Sequence, residues 1–190
     1  MPTILAIAGS IRTGSFNQML TRAVVAHAPA GLTIETASIQ DIPLYDGDLE
    51  AASSLPAAVQ ALKDRIASAH GVLLITPEYN NSIPGTFKNA IDWTSRPSAD
   101  IARIYGGKPI GVIGATPGAG GTAMAQAAWL PVLRTLGTIP FFGARLQVAH
   151  ASKVFDPSGA LIDETVRGQL ERYLAAFGEF VGRLARGTTP

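Results

Sequence analysis

Apolar and polar positions along the chain switch repeatedly between a strand period and a helix period. Thr3 to Ala8 is a short apolar run that breaks at Gly9-Ser10 and predicts a strand. From Ser15 to Ala28 the residues Phe16, Met19, Leu20, Ala23, Val24 and His27 recur at helical spacing, with Ser15 suited to the N-cap. Pro29-Ala30-Gly31 turns the chain into Leu32–Ala37, whose alternation predicts an edge or half-exposed strand. Ile39 to Ser54, with Pro43, Gly47 and three aspartates, predicts an irregular surface loop. Pro56 to Ala69 is helical, with Val59, Leu62, Ile66 and Ala69 on one face. Gly71 to Ile75 is an apolar run that predicts a strand buried on both faces, and Pro77, which has no N–H for a ladder, must end it. Beyond Pro84, Phe87, Ala90, Ile91 and Thr94 mark the next helix.

Lys108 to Ala115 predicts a further buried strand that ends in the glycine-rich turn Thr116–Gly121. Thr122 to Leu136 predicts a helix kinked at Pro131. Thr138–Phe142 and Arg145–Ala149 predict a last strand interrupted at Gly143. Asp156–Gly159 reads as a turn and Asp163 to Arg186 as a long amphipathic helix. Alternating strands and helices imply an α/β three-layer sandwich, a five-stranded parallel sheet with helices on both faces. The expected strand order is the flavodoxin-like 2-1-3-4-5, in a single domain over residues 1–190.

Composition narrows the function classes. Of 190 residues, 47% are hydrophobic and 15% charged, which implies extensive buried surface, some of it expected between subunits. A net charge of +1 gives no sign of a nucleic-acid or acidic-membrane partner. The absence of cysteine excludes disulfides, thiolate nucleophiles and cysteine metal sites. The segment Met1–Ala8 lacks the basic stretch of a signal peptide, and no apolar run approaches the roughly 18 residues a membrane helix needs, so a cytoplasmic protein is expected.

Three turns fall at the carboxyl ends of expected strands, where open parallel sheets bind their ligands. The first, Gly9 to Asn17, offers a helix N-terminus, the hydroxyls of Ser10, Thr13 and Ser15, the Asn17 amide and the Arg12 cation. It lacks the Lys-Ser/Thr pair of a P-loop, and its glycines are five apart, unlike a dinucleotide fingerprint. A terminal phosphate held by hydroxyls remains, as in a mononucleotide such as FMN. Taken alone, the turn reads more readily as an ordinary Ser/Gly helix start, since such turns are common. The second loop, Pro77 to Ile83, is polar, poor in charge and carries Tyr79, which suits a flat, neutral, hydrogen-bonding heterocycle. The third, with Thr116 and Gly118, would close the other side of that ring, its glycines allowing the backbone to come close.

Gly9-Ser10-Ile11-Arg12-x-x-Ser15-x-Asn17, with Pro77-Glu78-Tyr79-Asn80-x-Ser82-x-Pro84-Gly85-x-x-Lys88-Asn89-Ala90-Ile91-Asp92-Trp93, resembles the NAD(P)H-dependent FMN reductase family, in particular its bacterial chromate and quinone reductases. The likeness extends to Phe155-Asp156-Pro157 and Ala176–Phe180. The resemblance implies a flavodoxin-like fold, non-covalent FMN and a homodimer or homotetramer. It implies that Ser10, Arg12, Ser15, Phe16 and Asn17 meet the phosphate and ribityl chain, and that Pro77, Glu78, Tyr79 and Asn80 lie along the isoalloxazine. The chain departs from the family at Met124, where relatives often carry arginine, and at Ala115-Thr116-Pro117, where serines are usual.

An oxidoreductase using FMN and NADPH or NADH is therefore expected, with the chemistry at flavin N5 and no catalytic side chain or metal required. Quinones, azo compounds, chromate or free flavin are the expected small-molecule acceptors, reduced by two-electron, ping-pong transfer in one shared pocket. The alternatives are a flavodoxin-like electron carrier, disfavoured by the near-neutral charge, and an FMN-binding regulatory module. Glu78 could act as a base or cap nearby N–H groups, and Lys88 and Asp92 stand i,i+4. The three histidines show no metal-binding spacing, and Arg96 and Arg103 could meet a nucleotide phosphate. Phe87, Ile91, Trp93, Met124 and Trp129 exceed what one small core accommodates, which predicts a subunit interface on the helices after Pro84 and Thr122.

Overall fold

A computed structural model describes residues 1–52 and 55–187. In chain order the elements are β1 (Thr3–Ala8), α1 (Phe16–Ala26), β2 (Thr33–Ala37), α2 (Gly47–Ala52), α3 (Ala57–Ser68), β3 (Gly71–Ile75) and α4 (Gly85–Thr94). A 3-10 turn at Ser98–Asp100 leads to α5 (Ile101–Tyr105), β4 (Pro109–Ala115), α6 (Ala123–Thr135), β5 (Ile139–Pro140), β6 (Gln147–Val148), α7 (Ala151–Val154) and α8 (Glu164–Gly187). The strands pair in parallel in the order β2-β1-β3-β4-β5, with β6 also on β4. Ile4–Ala8 runs alongside Gly71–Ile75, and Val72–Ile75 alongside Ile110–Ile113.

Successive side chains of a strand point to opposite faces, and this splits the interior into two cores. Ile4 and Ala6 pack with Leu20 and Val24 of α1 and with Leu170, Leu174 and Phe177 of α8. Leu5 and Ile7 pack with Leu62 and Ile66 of α3, Phe87 and Ile91 of α4, and Trp129 and Leu133 of α6. Each such wholly buried Leu or Ile contributes about 1.5–3 kcal/mol of transfer free energy. Phe87, Ile91 and Trp129 fill this second core, and Trp93 is equally buried, its ring edge-on to Tyr45 and its indole N–H on the Pro43 carbonyl; all four are 2% exposed or less. The apolar excess attributed to a subunit interface is therefore absorbed within one chain, and of the five residues only Met124 is exposed.

The stretch expected as an irregular loop contains α2: Asp46 Oδ1 accepts the Asp48 N–H, and the Asp46 carbonyl accepts the Glu50 N–H. That local capping starts a short helix which apolar periodicity does not reveal. Ser53 and Ser54, the end of the expected loop, lie outside the described residues. Helices α5 and α7 were likewise not expected, being five and four residues long. The interrupted last strand resolves into two short strands, so the sheet has six strands among the described residues instead of five. Pro140 lacks a ladder N–H, and the Phe141 N–H makes a final bond to the Ile110 carbonyl before the chain turns at Gly143.

Candidate functional site

The connections after β1, β3 and β4 meet at the carboxyl edge of the sheet and enclose a cleft of about 250 Å³. The first begins at Gly9, whose N–H donates to the Ile75 carbonyl (2.9 Å). A Cβ there would collide with the Phe87 ring, so the tight seat of this loop on α4 requires glycine. Ser15 caps α1, its hydroxyl accepting the Asn17 N–H at 3.2 Å, and Gln18 Nε2 donates to the Ser10 carbonyl at 2.8 Å. Ser10 and Ser15 are buried. The Arg12 guanidinium donates to the carbonyls of Thr13 (3.5 Å) and Gly14 (3.2 Å), which leaves its charge uncompensated by either bond. Two hydroxyls, a helix N-terminus and a guanidinium form a donor set that fits the phosphate of FMN.

Asn17 lines the cleft and also has a structural use. Its Nδ2 donates to the Ala115 carbonyl (2.9 Å) and its Oδ1 accepts the Ala115 N–H (3.0 Å), in a buried setting. The amide that sequence reasoning counted among the phosphate donors instead ties α1 to the end of β4.

In the second loop, buried Thr76 donates through Oγ1 to the Pro77 carbonyl (2.8 Å) and accepts from the Trp129 indole (3.2 Å). Tyr79 and Ser82 exchange backbone bonds of 3.1 and 3.0 Å around Asn80 and Asn81, which have φ of 49° and 59°. Two left-handed central residues make this a type I′ hairpin turn, for which Asn-Asn is a suitable pair. The ring of Tyr79 is exposed. Glu78 Oε2 accepts the Ala125 N–H at 3.0 Å, capping the first turn of α6. Of the two roles open to Glu78, the cap is the one the structure displays.

The third loop is fixed from behind by the chain around β6. Thr116 donates to Val148 and accepts from Ala151, and the His150 N–H donates to Gly118. Buried Thr122 starts α6 with a left-handed φ of 65°, and Gly114 lies opposite it, where a Cβ would strike the Thr76 carbonyl and Thr122 Oγ1. Phe16, which lines the cleft, stacks on buried Phe155 at 6.3 Å.

Ser10, Arg12, Ser15, Phe16, Asn17, Pro77, Glu78, Tyr79 and Thr116 thus line one cleft, joined by Ala115 and Pro117, while Asn80 and Gly118 do not line it. Ala115 and Pro117 were missed, although both flank Thr116 in the same turn. The other polar candidates are engaged elsewhere. Lys88 pairs with Asp92 (2.7 Å), Arg103 with Asp100 (2.9 Å), and Arg96 lies over the Tyr45 ring. His27 contacts Glu171 and His70 accepts the Thr3 N–H. Among the described residues no group of three or more His, Asp or Glu side chains could hold a metal, and no helix is long and apolar enough to cross a membrane.

The family model described as NADPH-dependent FMN reductase matches residues 2–153. The chain belongs to this family. It is 38% identical to an NAD(P)H-dependent FMN reductase of Pseudomonas aeruginosa over 181 residues, covering 95% of this chain and 96% of that protein. It is 39% identical to a quinone reductase of Escherichia coli over 188 residues, with the same coverage of each. Among solved structures, the flavoenzyme NAD(P)H:(acceptor) oxidoreductase of Paracoccus denitrificans superposes with a TM-score of 0.86 at 35% identity, covering 96% of this chain and 98% of that one. The FMN reductase family is one of oxidoreductases, so FMN is the cofactor here and NAD(P)H the electron donor.

Proposed function

We propose that this FMN reductase family member reduces quinones with electrons from NAD(P)H, holding FMN in the cleft between the three loops. The observation that carries this reading is the pairing of a phosphate donor set at one end of the cleft with a charge-poor loop at the other. Ser10, Ser15, Arg12 and the N–H groups opening α1 hold the phosphate. Pro77, Glu78, Tyr79 and Thr116 border the isoalloxazine. When bound, FMN supplies two-electron chemistry, taking a hydride from NAD(P)H and delivering it to the acceptor. Backbone N–H groups of the second and third loops that are not engaged within the protein would offer fixed dipoles to negative charge on the reduced ring, with no reorganisation needed. Phe16, held by Phe155, offers the cleft an apolar wall.

With that wall on one side, NAD(P)H and the acceptor occupy one outer pocket in turn. Azo compounds, chromate and free flavin share the quinones' need for electrons and no bespoke contact, so they extend the acceptor range. The protein works in the cytoplasm as a homodimer or homotetramer, with exposed Met124 at the contact in place of the arginine of its relatives. The test is steady-state oxidation of NADPH by a soluble quinone, without a partner protein. Parallel double-reciprocal lines at several quinone concentrations are expected. Intersecting lines would remove the shared pocket, and absence of turnover would remove the reductase reading.

A further inference from the structure

The third loop is gripped at both ends by residues of the other two. Asn17, from the first loop and α1, holds Ala115 at its start through two hydrogen bonds of 2.9 and 3.0 Å. Glu78, from the second loop, holds Ala125 just past its end at 3.0 Å. The second oxygen of Glu78 lies beside Gly120, where a Cβ would sit 3.8 Å from it, so the carboxylate reaches the end of the loop as well as α6. Between the grips, Thr116 and Gly118 are tied to the chain around β6, and the Gly120 carbonyl accepts the Ala123 N–H, so the half of the loop next to α6 depends on how that helix begins. Gly118, Gly120 and Gly121 carry no side chains, and Thr122 is in a left-handed conformation that a β-branched residue adopts only when its surroundings impose it.

From this geometry we infer that Glu78 is a positioning residue: its carboxylate joins the second loop to the N-terminus of α6 and so sets the third loop in the conformation that FMN requires. It works through the Ala125 N–H and makes no contact with the reacting atoms. The consequence is a coupling between the loops on either side of the ring, so that neither can be displaced without the other. The bond needs an acceptor at the position of Oε2, and a glutamine oxygen supplies one. An alanine supplies none, and the uncapped first turn then shares its time between competent and incompetent loop conformations. Apparent FMN affinity falls in proportion to the competent fraction.

The inference rests on FMN occupying the cleft, and Arg12→Ala with Ser15→Ala tests that reading separately by removing phosphate donors without touching Glu78. Two measurements on Glu78→Ala and Glu78→Gln test the inference itself. Glu78 is half-buried at the surface of the cleft, outside both cores, so both variants are expected to fold. In FMN-free protein, hydrogen exchange at Ala125 and the third-loop amides should quicken about tenfold in Glu78→Ala and stay near wild type in Glu78→Gln. FMN affinity should fall about tenfold in Glu78→Ala and remain within about threefold of wild type in Glu78→Gln. Equal loss of affinity in both variants would mean that the charge itself meets the cofactor, and would overturn the positioning role. Unchanged exchange in Glu78→Ala would show that the loop holds itself, and would overturn it whatever the affinity does.

Discussion

At the first loop, Ser10, Ser15 and Asn17 are 4%, 3% and 3% exposed and their side chains are hydrogen-bonded, whereas at the tip of the second loop Tyr79 is 53% exposed and its two neighbours are left-handed. The first loop is set by folding at Ser10, Ser15 and Asn17, since these polar groups are buried and an unmet bond there costs free energy with or without a ligand, while Arg12 and Thr13 stand exposed. The second loop is held from beneath, by Trp129 on Thr76 and by Glu78 on α6, while its tip stands in solvent. The difference teaches that the first loop is a fixed anchor of the cleft, and that the second loop is supported at its base and open at its tip. The function proposed above, with a cofactor that stays while its substrates exchange, would use both properties.

Breaking the anchor should have the largest effect. Asn17→Ala strips the Ala115 N–H and carbonyl of their buried partner, at a cost of about 2–4 kcal/mol from two unmet groups. Denaturant unfolding should show that loss in the midpoint, and a loss below about 1 kcal/mol would mean that the first loop is no more built-in than the second.

A smaller effect is expected from acid. The Ser158 hydroxyl and then the Ala160 N–H favour the Asp156 carboxylate and hold its pKa below the usual carboxylate value. Its folded-state pKa is depressed, so the stabilisation is present above the unfolded pKa of about 4 and is lost as pH falls through the folded value. Asp156 adjoins Phe155, which stacks on Phe16, so this loss loosens the backing of the anchor. Asp156→Asn should flatten the dependence of stability on pH below about 4. An unaltered acid limb would place that dependence elsewhere. The smallest effect belongs to the open tip: Tyr79→Phe should leave stability within about 0.5 kcal/mol, as for surface substitutions generally. A measured loss well above that would make the tip as integral as the anchor.

Much of this was legible in the chain because periodicity reports burial. The runs at Thr3–Ala8, Gly71–Ile75 and Lys108–Ala115 set the central strands, and Ser15 marked the start of α1. Strand ends located the three loops, so the candidate cleft followed from topology. Helices α2, α5 and α7 escaped notice because a helix of six residues or fewer shows barely a turn of apolar pattern. The capping role open to Glu78 was legible, but its partner was not, and the tie made by Asn17 was not legible at all. Those partners, Ala125 and Ala115, lie 47 and 98 residues away and contribute backbone atoms, which carry no residue-type signal. Phe87 and Trp129 are not surplus because one sheet supports two cores, and Trp93 is buried under the Pro43–Tyr45 stretch.

The central claim, that FMN lies with its phosphate on the first loop, is tested most directly by comparing the affinities of FMN and riboflavin for the wild type and for Arg12→Ala with Ser15→Ala. Riboflavin lacks only the phosphate, so the ratio isolates the anchor from the ring end. The account predicts that wild type prefers FMN by about a hundredfold or more, from two or more charge-assisted contacts, and that the double variant loses most of this preference while binding riboflavin as before. Equal affinity for the two flavins in the wild type, or a preference that survives the double variant, would contradict it.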